Sequence, residues 1–150
     1  MTIDDPAGAQ GVDVHVVRPL RAEVRRAGRP PETAVLPGDD HPLARHVALR
    51  IGGEVMAVGT VIPEAPPWAP ELTAAWRLRG MATRDGQRGR RLGDTVLREL
   101  IVYATEQRGD YVWCAARVAA TTFYARAGLV ARGEIFATET VEHIYMCKDL

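Results

Sequence analysis

Apolar and polar positions along this chain change period several times, and each change predicts an element. Val12 to Val17 alternate, which predicts a first strand. Pro19 suits the first turn of a helix over 20–27, stopped by Gly28. Arg45 to Arg50 and Glu54 to Ile62 are alternating or β-branched runs separated by Gly52-Gly53, a hairpin signal. A further strand is predicted over Leu78 to Thr83. After it, Leu92, Val96, Leu97, Leu100, Ile101 and Ala104 share one helical face, ended by Arg108-Gly109-Asp110. Tyr111 to Ala115 is short and apolar, as strands inside a sheet are. Thr121 to Ala127 reads as a short helix closed by Gly128, and Leu129 to Phe136 with Val141 to Cys147 as a last hairpin. Proline-rich stretches at 29–42 and 63–70 read as loops. Residues 1–10 lack periodicity and are expected to form a disordered tail, leaving 11–150 as one domain. The order of elements predicts an α/β fold: a single-domain mixed, largely antiparallel sheet flanked by helices.

Composition narrows the function. Lysine plus arginine equals aspartate plus glutamate at 19 each, so the formal net charge is zero. A nucleic-acid binder usually carries a basic excess, so no nucleic-acid partner is expected. No apolar run is long enough to span a bilayer, and the N-terminus has no apolar signal region, so a cytoplasmic protein with no membrane partner is expected. Cys114 and Cys147 lie in apolar runs and are expected as buried free thiols. Histidines at 15, 41, 46 and 143 show no metal-ligand spacing, so no metal is expected. The edge of the last hairpin offers a surface on which a homodimer would form.

The most informative stretch is Trp76 to Asp94. It reads as a strand, a loop rich in glycine and arginine, and the first turn of a helix. Arginines at 77, 79, 84, 88, 90 and 91 are expected to surround that turn, with Asp85 and Asp94 the nearby carboxylates. A helix N-terminus with close backbone approach is a phosphate or pyrophosphate site. No Gly-Lys-Ser or Gly-Lys-Thr occurs, which excludes a P-loop. The glycines at 86, 89 and 93 are spaced G-x-x-G-x-x-x-G, and Asp110 precedes the next strand, which does not fit a dinucleotide-binding turn.

Arg88-Gly89-Arg90-Arg91-Leu92-Gly93 resembles the coenzyme A loop of the GNAT-superfamily N-acetyltransferases, commonly written R-G-x-G-x-G. Arg91 stands where the middle glycine usually is. A second segment, Ala120-Thr121-Thr122-Phe123-Tyr124-Ala125-Arg126-Ala127-Gly128-Leu129, resembles the family's N-x-x-A-x-x-F-Y-x-x-x-G-F. Ala120, Phe123, Tyr124 and Gly128 match, whereas Arg117 replaces the asparagine and Leu129 the last phenylalanine. The resemblance implies a GNAT-like acyl-CoA N-acyltransferase fold and acetyl-CoA as co-substrate. It implies that backbone groups of Met81 and Thr83, with Ala82 between them, meet the pantetheine arm. It further implies that the N–H groups of Arg88, Gly89, Arg90, Arg91, Leu92, Gly93 and Asp94 cradle the pyrophosphate, with Phe123 alongside.

The chemistry implied is direct attack of a primary amine, from a small molecule or peptide, on the acetyl thioester in a ternary complex. Family resemblance assigns proton donation to the leaving thiolate to Tyr124, whose phenol stays protonated at neutral pH. A base is not identified: Trp76 to Ala82 holds no carboxylate, Glu54, Glu64 and Glu71 lie nearby, and His143 is open between a catalytic and a structural role. Arg117 is open between a phosphate, an acceptor carboxylate and solvent. Trp68, Trp76 and Trp113 are open between the acceptor pocket and ordinary packing. The rival function is a catalytically silent acyl-CoA-binding regulatory module.

Overall fold

The computed structural model describes residues 8–25, 29–84, 91–138 and 140–150. Seven strands form one sheet in the order β1-β2-β3-β4-β5-β7-β6. The strands are β1 (Gln10–Val12), β2 (Arg45–Ile51), β3 (Glu54–Pro63), β4 (Ala75–Thr83), β5 (Tyr111–Arg117), β6 (Val130–Thr138) and β7 (Val141–Asp149). The helices are α1 (Val14–Arg25), α2 (Leu92–Glu106) and α3 (Thr121–Arg126). Every neighbouring pair is antiparallel except β4 with β5. The expected α/β architecture, a mixed and largely antiparallel sheet flanked by helices, is the one observed.

The expected strand over 12–17 is corrected by the structure. Only Gln10–Val12 joins the sheet, and a helix begins at Val14. Asp13 decides this locally: its Oδ1 accepts the His15 N–H at 3.0 Å and its C=O accepts the Val16 N–H at 2.9 Å. That is an N-cap, and it starts a helix where alternation suggested extension. Pro19 therefore sits inside the helix. Its missing N–H leaves the His15 carbonyl, on the exposed side, without an intrahelical donor. Val17, Leu20 and Arg21 are buried beneath the helix at the expected spacing. Gly28, the expected stop, lies outside the described residues.

The two sheet faces hold separate cores, which explains the near-continuous apolar runs in the central strands. Val47, Leu49, Ala57 and Val61 pack with Leu92, Val96, Leu97 and Leu100 of α2. Ala48, Val58 and Ala82 pack with Val17 and Leu20 of α1 on the opposite face. Cys114 and Cys147 are free and buried, as expected. No helix among the described residues is long and apolar enough to cross a membrane.

One irregularity in β4 positions everything that follows. Thr60 pairs with Arg79 but Val58 pairs with Ala82, so β4 carries one extra residue. Gly80 absorbs it at φ +67°, a left-handed conformation open to glycine. The bulge reverses the alternation: Leu78 and Met81, three residues apart, both enter the α2 core. A side chain at Gly59, on the facing strand, would collide with the Met81 sulfur, so the absence of one makes room for it.

Behind the bulge lies a buried polar network. Arg21, 2% exposed, donates through Nη1 and Nη2 to the two Asp39 carboxylate oxygens at 2.8 and 3.0 Å. It also donates to the Ala34 carbonyl at 3.0 Å and to Thr60 Oγ1 at 2.7 Å. His46 Nε2 meets the Asp39 carbonyl at 3.0 Å, so that nitrogen carries the proton, and Nδ1 accepts from the Thr60 hydroxyl at 2.8 Å. This arrangement requires a neutral imidazole.

Burial lowers the His46 pKa, outweighing the pull of the Asp39 carbonyl and carboxylate. In the unfolded chain the same ring regains its ordinary value of about 6.5 and takes up a proton as pH falls below it. The native ring does not, so the stability it contributes is full above about pH 6.5 and declines below it. Urea midpoints should therefore fall between pH 7.5 and 5, and by less in His46→Gln.

Candidate active site

β4 and β5 run parallel but pair only where Ala75, Trp76 and Arg77 face Tyr111, Val112 and Trp113. Beyond that point β4 continues to Thr83 and β5 to Arg117 without a shared ladder. The two halves of the sheet diverge there, and a cavity opens on each side of the split.

The first cavity, about 330 Å³, is lined by Met81, Ala82 and Thr83 of β4, by Arg91, Gly93 and Asp94 at the start of α2, and by Phe123, Tyr124 and Arg126 of α3. The Arg84 N–H donates to the Met56 carbonyl at 2.9 Å, next to the Ala57–Thr83 and Val58–Ala82 pairs. Antiparallel ladders alternate, so the Ala82 main-chain groups turn to β3, and those of Met81 and Thr83 turn away from it. Arg25 Nε and Nη2 occupy the Met81 carbonyl at 3.0 and 2.8 Å. Of the Met81 backbone groups, that leaves the N–H for a ligand. Nothing in the sequence pointed to Arg25; recognising α1 at its true length would have placed it on the face turned to β4.

At the head of α2, Arg91, which stands at a glycine position of the motif, is in the left-handed region (φ 56°, ψ 30°) that glycine enters freely. Left-handed backbone costs an L-residue about 1–2 kcal/mol. Arg91→Gly is expected to stabilise the fold by about 1 kcal/mol, roughly 2–4 °C in Tm, as scanning calorimetry would register. Gly93 lets three elements converge: a Cβ there would stand 3.1 Å from Phe123 Cε1 and from Thr83 Oγ1. Asp94 accepts from Arg126 Nη2 at 3.0 Å, which offsets a carboxylate at the positive end of the helix. Arg88, Gly89 and Arg90 lie outside the described residues.

The second cavity, about 370 Å³, is lined by Arg21, Arg25, Arg77 and Arg79, by Leu36 and Leu78, and by Phe136, His143 and Tyr145. This corrects the expected arginine cluster. Arg77 and Arg79 face this cavity rather than the helix start, with the Arg77 guanidinium 4.7 Å from the Trp113 ring centre. Arg84 instead pairs with Glu23 at 2.8 Å and reaches the Val55 carbonyl at 3.2 Å. All three lie on the α1 face of the sheet, and their positions along the chain, on either side of the Gly80 bulge, are what separate them.

Tyr124 lines both cavities and is 5% exposed. Burial, with Cys114 nearby, raises its pKa well above the ordinary phenol range, against the opposing charges of Arg25 and Arg117. Its hydroxyl is therefore a neutral donor across the working pH range. Phe123 packs edge-on against it at 4.9 Å.

The candidate bases separate. Glu64 is engaged by Arg77 Nη1 at 2.9 Å, while Glu54 and Glu71 are exposed and line neither cavity. His143 does line the second. Its Nδ1 meets the Val141 carbonyl at 3.0 Å and so bears the proton, which leaves Nε2 as the lone-pair nitrogen of the neutral ring. The ring stacks on Phe136 at 5.8 Å. The tryptophans pack rather than line either cavity: Trp68 and Trp113 support Tyr145, and Trp76 lies against Tyr103. Arg117 lines the first cavity. No cluster of three or more metal-ligating side chains occurs among the described residues.

Comparison with known proteins bears on the family and the fold. A Bacillus subtilis (strain 168) protein described as the uncharacterised N-acetyltransferase YitI is 32% identical over 106 residues, 70% of each chain. The crystal structure of Escherichia coli ElaA superposes with a TM-score of 0.73 at 17% identity, covering 90% of this chain and 88% of that one. An aminoglycoside 6'-N-acetyltransferase complexed with coenzyme A gives 0.73 at 13% identity, over 95% and 96% of the two chains. These two likenesses show the fold. The profile of the Acetyltransferase (GNAT) family matches residues 16–129, most of the sequence, and the chain belongs to that family.

Proposed function

We propose that the protein transfers the acetyl group of acetyl-CoA to a primary amine of a small molecule or peptide, both bound at once in the split between β4 and β5. The observation that carries this reading is the place of Tyr124, a buried neutral phenol in the wall shared by the two cavities. The coenzyme occupies the side formed by Met81, Thr83 and the head of α2, with its diphosphate on the main-chain amides of residues 88–94. The acceptor occupies the side lined by Arg79, His143 and Tyr145.

In the reaction, the neutral amine nitrogen bonds to the thioester carbon, and the Met81 N–H donates to the oxygen as it gains charge. The C–S bond then breaks and the departing thiolate takes the Tyr124 hydroxyl proton. His143 Nε2, directly or through water, receives the proton lost by the amine. The products are the N-acetyl amine and free coenzyme A, and a proton passed from His143 through solvent restores Tyr124. What supports His143 over the glutamates is its open Nε2 in the acceptor cavity.

Titration calorimetry with acetyl-CoA, followed by an assay of thiol release against a panel of amines, tests the reading. Heat of binding and amine-dependent thiol release are expected. Binding with no release from any amine would identify a silent acyl-CoA-binding module instead. No binding to the folded protein would remove both.

A further inference from the structure

Four guanidinium groups line the acceptor cavity, and no carboxylate does among the described residues. Two of the four are balanced from behind: Arg21 by Asp39 at 2.8 Å and Arg77 by Glu64 at 2.9 Å. Arg25 spends two donors on the Met81 carbonyl. Arg79 has no hydrogen-bond partner among the described residues, although it is half-buried and its Nε is shielded from solvent. A half-buried guanidinium without a partner is costly to maintain in a purely structural role. Burial, with Arg77 beside it, lowers its pKa, against the pull of Glu64 and Asp39. The lining also carries apolar surface, from Leu36, Phe136 and Tyr145.

Building on the acetyl-transfer reading, we propose that the acceptor is an amine bearing its own carboxylate, an amino-acid-like small molecule. Its carboxylate docks on Arg79, and its apolar body lies against Leu36, Phe136 and Tyr145. A planar fork of N–H donors suits a carboxylate, and such charge-assisted bonds are strong where water is partly excluded. The same wall disfavours polyamines and other polycations, whose extra charges would find two uncompensated guanidiniums and no acid. The volume of about 370 Å³ is that of a small-molecule site.

Two measurements test this with matched ligands. First, kcat/KM is compared for L-phenylalanine and phenethylamine, which differ by the carboxylate, in the wild type, Arg79→Gln and Arg79→Lys. The wild type is expected to favour phenylalanine by about tenfold to a hundredfold. Arg79→Gln should collapse that ratio mainly through KM, and Arg79→Lys should restore part of it. Second, calorimetry with N-acetylphenylalanine and N-acetylphenethylamine reads the same preference as binding, whether or not turnover occurs. Arg79-dependent binding of the acid without turnover would uphold the carboxylate site and overturn the acetyltransferase reading. Equal or better use of phenethylamine, or an unchanged ratio in folded Arg79→Gln, would overturn the carboxylate site and leave the acetyltransferase reading standing. A preference for phosphoethanolamine over phenylalanine would also overturn the assignment. So would failure of both acetylated ligands to bind where neither parent amine is turned over.

Discussion

Asp39→Ala is expected to cost about 3–5 kcal/mol of stability, a loss large enough to threaten the fold. The Arg21 and Asp39 side chains are 2% and 4% exposed, and Arg21 makes two of its four hydrogen bonds to this carboxylate. Removing Asp39 leaves a charge with no partner acid in a place water barely reaches. The Leu36 N–H, which donates to Asp39 Oδ2 at 3.0 Å, loses its acceptor as well. For a chain of this length the Tm should fall by roughly 10 °C.

The double variant Arg21→Met, Asp39→Leu separates a stranded charge from a lost attraction as the source of that cost. It should recover much of the stability, because an apolar pair removes the stranded charge. Acid acts on the same pair. Burial alone would raise the Asp39 pKa, but the Arg21 and Leu36 hydrogen bonds and the Arg21 charge outweigh it, so the net shift is downward. The stability it contributes is complete above about pH 3.8 and is lost as pH falls through that value toward the lower native pKa.

The second large effect concerns rate. Tyr124→Phe is expected to lower kcat by about a hundredfold to a thousandfold while leaving the KM for acetyl-CoA close to its original value. The phenylalanine ring keeps the edge-on contact with Phe123 and the packing of the shared wall, and only the proton donor is removed. A thermal midpoint within a few degrees of the wild type would exclude a folding defect. The loss should be smaller for thioesters with more acidic leaving thiols, which need less help from a donor. An unchanged kcat would mean that water protonates the thiolate, and Tyr124 would then be a packing residue.

The central elements were legible because their signals were local and repeated. Glu54 to Ile62, the Gly52-Gly53 turn and the stripe from Leu92 to Ala104 each stated their geometry within a few residues. The helix at Val14 was not legible by alternation, since two periods fit Val12-Asp13-Val14-His15-Val16-Val17 equally and only the Asp13 cap decides. The arginines were visible as a cluster, yet a cluster in sequence has no side. Arg77 and Arg79 turn away from Leu78 by plain alternation, but Met81 on the face of Leu78 follows from one bulge that no periodicity announces. Arg25 could be assigned only once α1 was known to pass beside Met81, 56 residues later in the chain.

That single additional residue in β4 also bears on how related chains can vary. With Gly80 deleted, the remaining strand would keep register with β3 to its end. Met81 and Ala82 would keep the faces they have, and only the left-handed residue beside the Arg21 guanidinium would be gone. The sheet would be more regular, but β4 would lose the bend that a bulge imposes just past the end of its ladder with β5, where the split opens. Losing that one position should thus narrow the split and lower activity without unfolding the protein.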